Sequence, residues 1–141
     1  MATYYNIPFS FEAVLRRERR EAFTCTVEES IAQNISLIIT SKFNEFRYDA
    51  TYGCEIWEVD FVVPSNMNIW KEEIKAALEE AIMKYEHRID VLEVFKIDVD
   101  RDRRRSGGGG QVLDFQIIGS IHGTNKKFEY ADTLFFSPYS R

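Results

Sequence analysis

Glu86, His87 and Arg88 bring an acid, a base and a guanidinium together in the segment YEHRI. Such a set can serve as the acid, base and electrophile of an active site, or as charged contacts for another protein. In extended backbone, residues 86 and 88 point to the same side, so Glu86 and Arg88 can bridge each other or face a partner together. The predicted helix before them ends here, and the negative end of its dipole favours the cationic side chains of His87 and Arg88. The acidic Glu86 instead needs a cationic neighbour or a hydrogen-bond donor from outside.

The rest of the sequence gives little support for catalysis. The chain has 23 acidic residues, so close carboxylate pairs are unavoidable, yet nothing selects the specific pair that a glycosidase needs. The histidines are His87 and His122, without a G-x-S-x-G motif or a recognisable catalytic cysteine. Cys25 and Cys54 lie outside any C-x-x-C or metal-ligand spacing. We therefore expect free thiols, no metal, no cofactor and no enzymatic activity.

A second cationic cluster, RDRRR, occupies residues 101–105 and precedes SGGGG at 106–110. The glycines are not followed by Gly-Lys-Ser/Thr or by the start of a helix, which argues against a phosphate-binding loop. A formal net charge of -5 and the lack of interleaved aromatic residues argue against nucleic-acid binding. The cluster is either a solvated loop or a contact for an acidic protein surface, and its candidate partner-binding residues are Arg101, Arg103, Arg104 and Arg105.

Two amphipathic helices are predicted in the first two-thirds of the chain. Thr26 and Glu29 form a capping-box pattern, and Asn44 is a candidate for the left-handed residue after that first helix. A second helix is predicted from Asn68, and residues 47–64 between the two are predicted to be an ordered connection with at most one short strand. The apolar stripes that define the helices are Ile31, Ile35, Ile38 and Ile39, then Trp70, Ile74, Ala77, Leu78, Ala81, Ile82 and Tyr85.

After Arg88 the apolar residues alternate with polar ones, which is typical of strands. Three successive alternating segments predict an antiparallel meander, with a long mobile Gly/Arg loop at 101–110 and a compact turn in HGTNKK. The sequence thus predicts an α+β fold with two main helices on one face of a three-stranded antiparallel sheet. We expect one domain over residues 1–141, with a flexible N-terminal segment at about 1–24.

The motifs in this order resemble the family of small wedge proteins of contractile-tail baseplates, which includes TssE of type VI secretion systems. Family members show a helix reading I-x-x-N-I-x-x-I-L-x-T, a D-P-x-F-G turn and a later helix ending in Y-E-P-R-I. The present chain departs from the pattern at Asn44, where Gly is usual, and at Ala50 and His87, where proline is usual. The residues that match are Ile31, Asn34, Ile35, Ile38, Thr40, Asp49, Tyr52, Gly53, Tyr85, Glu86, Arg88 and Ile89.

The resemblance implies a structural role in which Glu86 and Arg88, with His87 alongside, hydrogen-bond to the helical core of the wedge. It implies partners similar to TssF, TssG and TssK, and a sheet on which the first ring of sheath subunits builds by strand addition. We expect this site to be exposed, so a charge reversal, Arg88→Glu, should leave the fold intact and abolish assembly.

The alternatives are a lysozyme-like enzyme that degrades peptidoglycan, as phage members were once labelled, and a basic-loop adaptor for nucleic acid or acidic protein. No apolar run long enough to span a membrane and no export signal is present. We accordingly expect a cytoplasmic protein in a baseplate assembled at the inner membrane, without direct membrane insertion.

Overall fold

The computed structural model describes residues 2–16, 19, 23–58, 66–100 and 111–136, apart from the side chains of 91, 92, 95–100, 111 and 136. Along the chain, short N-terminal elements precede two long helices, and three long strands follow. The elements are β1 (Tyr4–Tyr5), α1 (Phe11–Leu15), β2 (Thr24–Cys25), α2 (Val27–Thr40), a 3-10 helix (Glu55–Trp57), α3 (Met67–Tyr85), β3 (Ile89–Asp100), β4 (Gln111–Ile121) and β5 (Lys126–Phe136).

Helix α2 begins at the predicted capping box. The Thr26 hydroxyl accepts from the Glu29 N–H at 3.2 Å, and the Glu29 carboxylate accepts from the Thr26 N–H at 2.8 Å. The prediction that α2 continues almost to Asn44 is wrong, because α2 stops at Thr40. Ser41 has extended backbone, and its carbonyl accepts a hydrogen bond from the Cys54 N–H at 3.0 Å. Asn44 does adopt the predicted left-handed conformation, with φ 65°, but within the turn that follows.

Helix α3 is capped by Asn66, whose side chain accepts from the N–H groups of Asn68 and Ile69. Its buried face is the predicted stripe, except that Tyr85 is only partly buried and packs against the core from its edge. The stripe therefore points inward along the whole helix, and the charged face is left to solvent. The buried residues are Trp70, Ile74, Ala77, Leu78, Ala81 and Ile82.

Strands β3, β4 and β5 form an antiparallel sheet with β4 in the centre. One face of this sheet and the inner faces of α2 and α3 contribute to a single hydrophobic core. Residues 122–125 form the predicted compact turn between β4 and β5, with positive φ at Gly123 and Asn125. The strict alternation predicted for β3 is wrong, because the register shifts twice and Val94 is buried opposite Ile117.

The predicted α+β class, with two main helices and antiparallel strands, is confirmed. The structure adds a second sheet of two strands, in which Tyr4 pairs with Cys25 and Tyr5 with Thr24. This ribbon lies in the segment for which the sequence predicted flexibility, and it is tied to α2 because the Ile7 N–H donates to the Gln33 side chain at 2.9 Å. The connection before α3 contains the 3-10 helix and turns, and no strand among its described residues.

Candidate docking site

The Glu86 carboxylate lies inside the protein at the end of α3, with 2% of the residue exposed. Its Oε1 accepts from the backbone N–H of Arg88 at 3.0 Å and from Arg88 Nε at 2.8 Å. Its Oε2 accepts from Arg88 Nη2 at 2.6 Å and from Asn34 Nδ2 at 2.8 Å. Both oxygens are therefore satisfied within the chain, and the acid is placed to orient Arg88.

The charges of this pair are mutually stabilised. Burial opposes ionisation of Glu86, but the hydrogen bonds from Arg88 and Asn34 outweigh it, so the pKa of the carboxyl is lowered. The hydrogen bond to Glu86 in turn raises the pKa of the Arg88 guanidinium, against its own partial burial. At neutral pH the site is thus an ion pair with a fixed geometry.

Arg88 is held from three sides. Its Nη1 donates to Ser30 Oγ at 3.0 Å on α2, and the ring of Tyr4 lies 5.4 Å from the guanidinium carbon. The side chain remains 31% exposed, and Nη1 and Nη2 each carry a second N–H beyond those bonded to Ser30 and Glu86. The sequence-based expectation of an exposed site is wrong for Glu86, because the long side chain of Arg88 folds back over it.

The remaining predicted site residues fall into two groups. His87 is exposed in the turn between Glu86 and Arg88. The four arginines of the Gly/Arg loop lie outside the described residues: Arg101, Arg103, Arg104 and Arg105.

Sequence reasoning missed the residues that position Arg88. Asn34 and Ser30 lie one helical turn apart on α2, and Tyr4 comes from β1. Asn34 matched the family helix motif, but its role was not assigned. The available signal was a polar residue beside the buried positions Ile31 and Ile35, which predicts a buried hydrogen bond.

A groove of about 510 Å³ lies beside this site, between α3 and the turn that follows α2. Its walls include Tyr85, whose hydroxyl donates to Asp49 at 3.1 Å, and Lys84, whose ammonium donates to Thr51 at 2.9 Å. Hydrogen bonds from Thr51 lower the pKa of the Asp49 carboxyl. The groove is lined by Phe43, Asn44, Ala50, Thr51, Gly53, Glu55, Ala77, Glu80, Ala81, Lys84 and Tyr85.

The outer edge of β3 is partly covered by α3. The N–H of Val94 donates to the Glu79 side chain at 3.1 Å and so points away from β4. In an antiparallel pair, two opposite residues direct their backbone groups either toward each other or both outward, so Ile117, which lies opposite Val94, directs its backbone groups toward β5.

The same alternation of backbone directions shows which N–H groups of β5 lie on its outer edge. Ile117 pairs with Tyr130, and no register shift interrupts the β4–β5 pairing. The N–H of Ala131, one residue further along, therefore lies on the outer edge. Consistently, the N–H of Thr133 donates to the Asp132 side chain at 2.8 Å. Each outer strand thus has an outward N–H bonded to a side chain, Val94 on β3 and Thr133 on β5, and Ala131 adds an outward donor on β5.

Metal-binding and membrane-spanning features are not found in the described ranges. No three His, Cys, Asp or Glu side chains there are grouped so that they could hold a metal ion. None of the helices in those ranges is long and apolar enough to cross a membrane. Cys25 and Cys54 are free, and burial raises the pKa of the Cys54 thiol to about 11.

The family of the baseplate wedge protein gp25 matches residues 25–126. The chain belongs to this family. The match contains α2, α3 and the Glu86–Arg88 pair, and the predicted resemblance is confirmed. This baseplate wedge family supports a structural role in a contractile tail, while β1 and α1 lie outside the matched residues.

A solved structure from Geobacter sulfurreducens, provisionally described as a tail lysozyme, shares the fold of this baseplate wedge chain. The TM-score is 0.63 at 22% sequence identity, and the alignment covers 82% of this chain and 96% of the other. A comparison with curated protein sequences gives no significant match.

Proposed function

We propose that the chain is a wedge subunit in the baseplate of a type VI secretion system. In this proposal it works in the cytoplasm, at a baseplate assembled on the inner membrane. It docks on wedge-core proteins similar to TssF, TssG and TssK, and its sheet receives the first ring of sheath subunits. The docking step uses Arg88, with His87 beside it.

The observation that carries the docking proposal is the orientation of Arg88 by Glu86. The pair lies within the matched family region, and a buried carboxylate with lowered pKa holds an arginine whose side chain is still partly exposed. A pre-oriented guanidinium binds a carboxylate or carbonyl with less loss of side-chain entropy than a free one. In this arrangement Arg88 is the contact for the partner, and Glu86 is a positioning residue.

The docking proposal is tested with Arg88→Lys, which keeps the positive charge but loses the planar fork. Arg88→Glu is unsuitable, because it would set a second carboxylate against the buried Glu86. Wild-type and variant proteins are expressed at native level in the source cell, and assembled baseplates are counted by fluorescence microscopy of a tagged TssK-like baseplate protein. We expect the variant to be folded and the count to fall about tenfold or more.

Arg47→Lys is the matched control, because it makes the same change at an exposed arginine in the turn after α2, which does not line the groove. It should leave the baseplate count unchanged. Circular dichroism at the growth temperature verifies folding of each variant. A folded Arg88→Lys protein that assembles like wild type would overturn the docking proposal.

The open edge of β5 supports the sheath part of the proposal. Strand addition needs a row of free backbone donors and acceptors, and Ala131 contributes such a donor. On the opposite edge, the Glu79 side chain occupies the corresponding donor of Val94. We therefore assign the incoming sheath strand to β5.

Ala131→Pro tests this assignment, because proline removes an outward N–H and is tolerated on edge strands. Ala131→Val is the control, since it keeps the N–H and favours extended backbone. We expect the proline variant to enter the baseplate but to support few sheaths, and the valine variant to support normal numbers. Normal sheath numbers with a folded Ala131→Pro protein would exclude the β5 edge.

The hydrolase alternative is less well supported. A glycosidase needs a carboxylic acid with a raised pKa, held near a second carboxylate in a cleft. Within the described residues, the carboxyl groups of Glu28, Asp49 and Glu86 have shifted pKa values, and each is lowered. The likeness to the Geobacter sulfurreducens protein shows the fold alone.

A further inference from the structure

We propose that His122, in the turn between β4 and β5, is a positioning residue for Arg88. This inference rests on the proposed function, because it concerns how the docking guanidinium is presented to a partner. The contacts with Glu86, Ser30 and Tyr4 hold the side chain of Arg88. The turn after β4 holds the main chain from which that side chain extends.

Both main-chain polar groups of Arg88 are hydrogen-bonded. Its N–H donates to the Glu86 carboxylate at 3.0 Å, and its carbonyl accepts from the His122 N–H at 2.7 Å. His122 directly follows β4, and its bond to Arg88 continues the β3–β4 pairing one residue beyond Ile89 and Ile121. The backbone of the docking residue is thus attached to the sheet, although Arg88 precedes β3.

A β-bulge at Asp90 decides which side chain beside it faces the core. The residues on either side of Asp90 have partners that are consecutive in β4, so Asp90 is an extra residue on β3. In a regular strand every second residue back from the buried Val94 would face the core, and Arg88 would be among them. The extra residue shifts this alternation by one position, and Ile89 packs against the core instead. The bulge therefore leaves Arg88 for the docking surface.

The side chain of His122 holds this bulge. Its Nδ1 lies 2.6 Å from Oδ1 of Asp90, so a proton on Nδ1 is donated to the carboxylate. His122 thus bonds to both neighbours of Ile89, through its N–H to the carbonyl of Arg88 and through its ring to Asp90. Without the ring, the bulged segment keeps only the N–H contact, and Arg88 gains mobility that docking must remove.

The turn that carries His122 is itself anchored, because Lys126 pairs with Glu28 in the first turn of α2. This contact does not involve the imidazole. The side chains of His122 and Asp90 are 72% and 41% exposed, and an exposed pair of this kind contributes little to global stability. Its removal should therefore loosen Arg88 without unfolding the protein.

NMR of the isolated protein tests the positioning role. Nitrogen relaxation of the Arg88 Nε–H group reports the mobility of the guanidinium, and Arg88→Lys identifies its signal. We expect a lower order parameter in His122→Ala and a value close to wild type in His122→Asn, because the asparagine amide supplies a donor near the position of Nδ1. Arg16→Ala is the control, since it breaks an exposed ion pair of α1. An unchanged order parameter in folded His122→Ala overturns the positioning role.

Baseplate counts in the source cell, with the tagged TssK-like protein, test whether this positioning serves docking. We expect His122→Ala to lower the count about threefold or more, and His122→Asn and Arg16→Ala to stay within about twofold of wild type. Asp90→Ala should give the same loss as His122→Ala. The double variant should lose no more than either single variant, because both changes remove one contact.

Melting temperatures within about 3 °C of wild type verify that the variants are folded. A normal count in folded His122→Ala overturns this inference, as do losses that add in the double variant or a count that His122→Asn does not restore. The docking proposal stands in each of these cases if Arg88→Lys lowers the count in the same experiment. If Arg88→Lys has no effect either, both proposals fail.

Discussion

At the residue scale, Glu86 contributes to the site by accepting hydrogen bonds rather than by acting as an acid. Its carboxylate accepts four hydrogen bonds from two residues, which compensates for the cost of burying the charge. The same interaction stabilises the turn at His87, which stands at the proline position of the Y-E-P-R-I motif. The Arg88 N–H donates to the Glu86 carboxylate, and this hydrogen bond closes the turn. A proline at position 87 would instead restrict the backbone of the turn through its fixed φ.

The lowered pKa of Glu86 makes stability dependent on pH. In the unfolded chain the Glu86 carboxyl has a pKa of about 4.3, and folding lowers this pKa. The stability that ionised Glu86 contributes is therefore fully present above about pH 4.3 and is lost as pH falls through the folded pKa. We expect Glu86→Gln to lower the free energy of unfolding by about 2 kcal/mol at pH 7. The difference from wild type should shrink as pH falls below about 4.

Urea unfolding at a series of pH values measures this difference. Glu93→Gln is the control, because Glu93 is an exposed acid on β3. A difference between wild type and Glu86→Gln that stays constant down to pH 3 would show that ionisation of Glu86 does not contribute to stability.

At the element scale, the turn between α2 and the 3-10 helix depends on Gly53. Its φ is 130°, and a Cβ atom at this position would lie 2.5 Å from the Ser41 carbonyl oxygen. The same carbonyl accepts from the Cys54 N–H, so the two segments cannot separate without losing that hydrogen bond. The close approach explains why the turn motif ends in glycine.

Gly53→Ala should therefore lower the free energy of unfolding by more than about 3 kcal/mol, because backbone strain and a backbone clash add. Gly123→Ala is the matched control: its φ is 78°, but nothing lies within 4 Å of the added Cβ. That change should cost only about 1 kcal/mol. Chemical denaturation of both variants measures the difference, and equal losses would contradict the steric explanation.

At the scale of the whole molecule, one core joins the two long helices to the sheet. Residues of α2, α3, β3, β4 and β5 contribute to the same buried cluster. The pairing of β3 with β4 extends to Asp100 opposite Val112, at the ends that the Gly/Arg loop connects. The β3–β4 backbone hydrogen bonds and the buried core residues that stabilise this hairpin thus lie outside residues 101–110.

Replacing residues 102–110 with an Asn-Gly turn should accordingly change Tm by no more than about 3 °C, since loop length contributes weakly to stability. Differential scanning calorimetry of the shortened and wild-type proteins measures the change. A control that keeps the loop length but replaces the arginines with serine separates length from charge. A loss of more than about 10 °C on shortening alone would show that the loop packs against the core.

The sequence by itself determined the parts of this protein that depend on near neighbours. The capping box joins residues three apart, the apolar stripes repeat every turn of a helix, and the compact turn at 122–125 follows from its local residues. The ordered motifs also placed the chain in the baseplate wedge family, as the match over residues 25–126 confirms.

Only the tertiary structure decided what surrounds the site. Asn34 reaches Glu86 across 52 positions, Ser30 reaches Arg88 across 58, and Tyr4 comes from β1, the first strand of the chain. The register shifts that bury Val94 likewise depend on the partner strand. These contacts form because α2, α3 and β1 pack together, and no local pattern records which residues meet when distant elements pack.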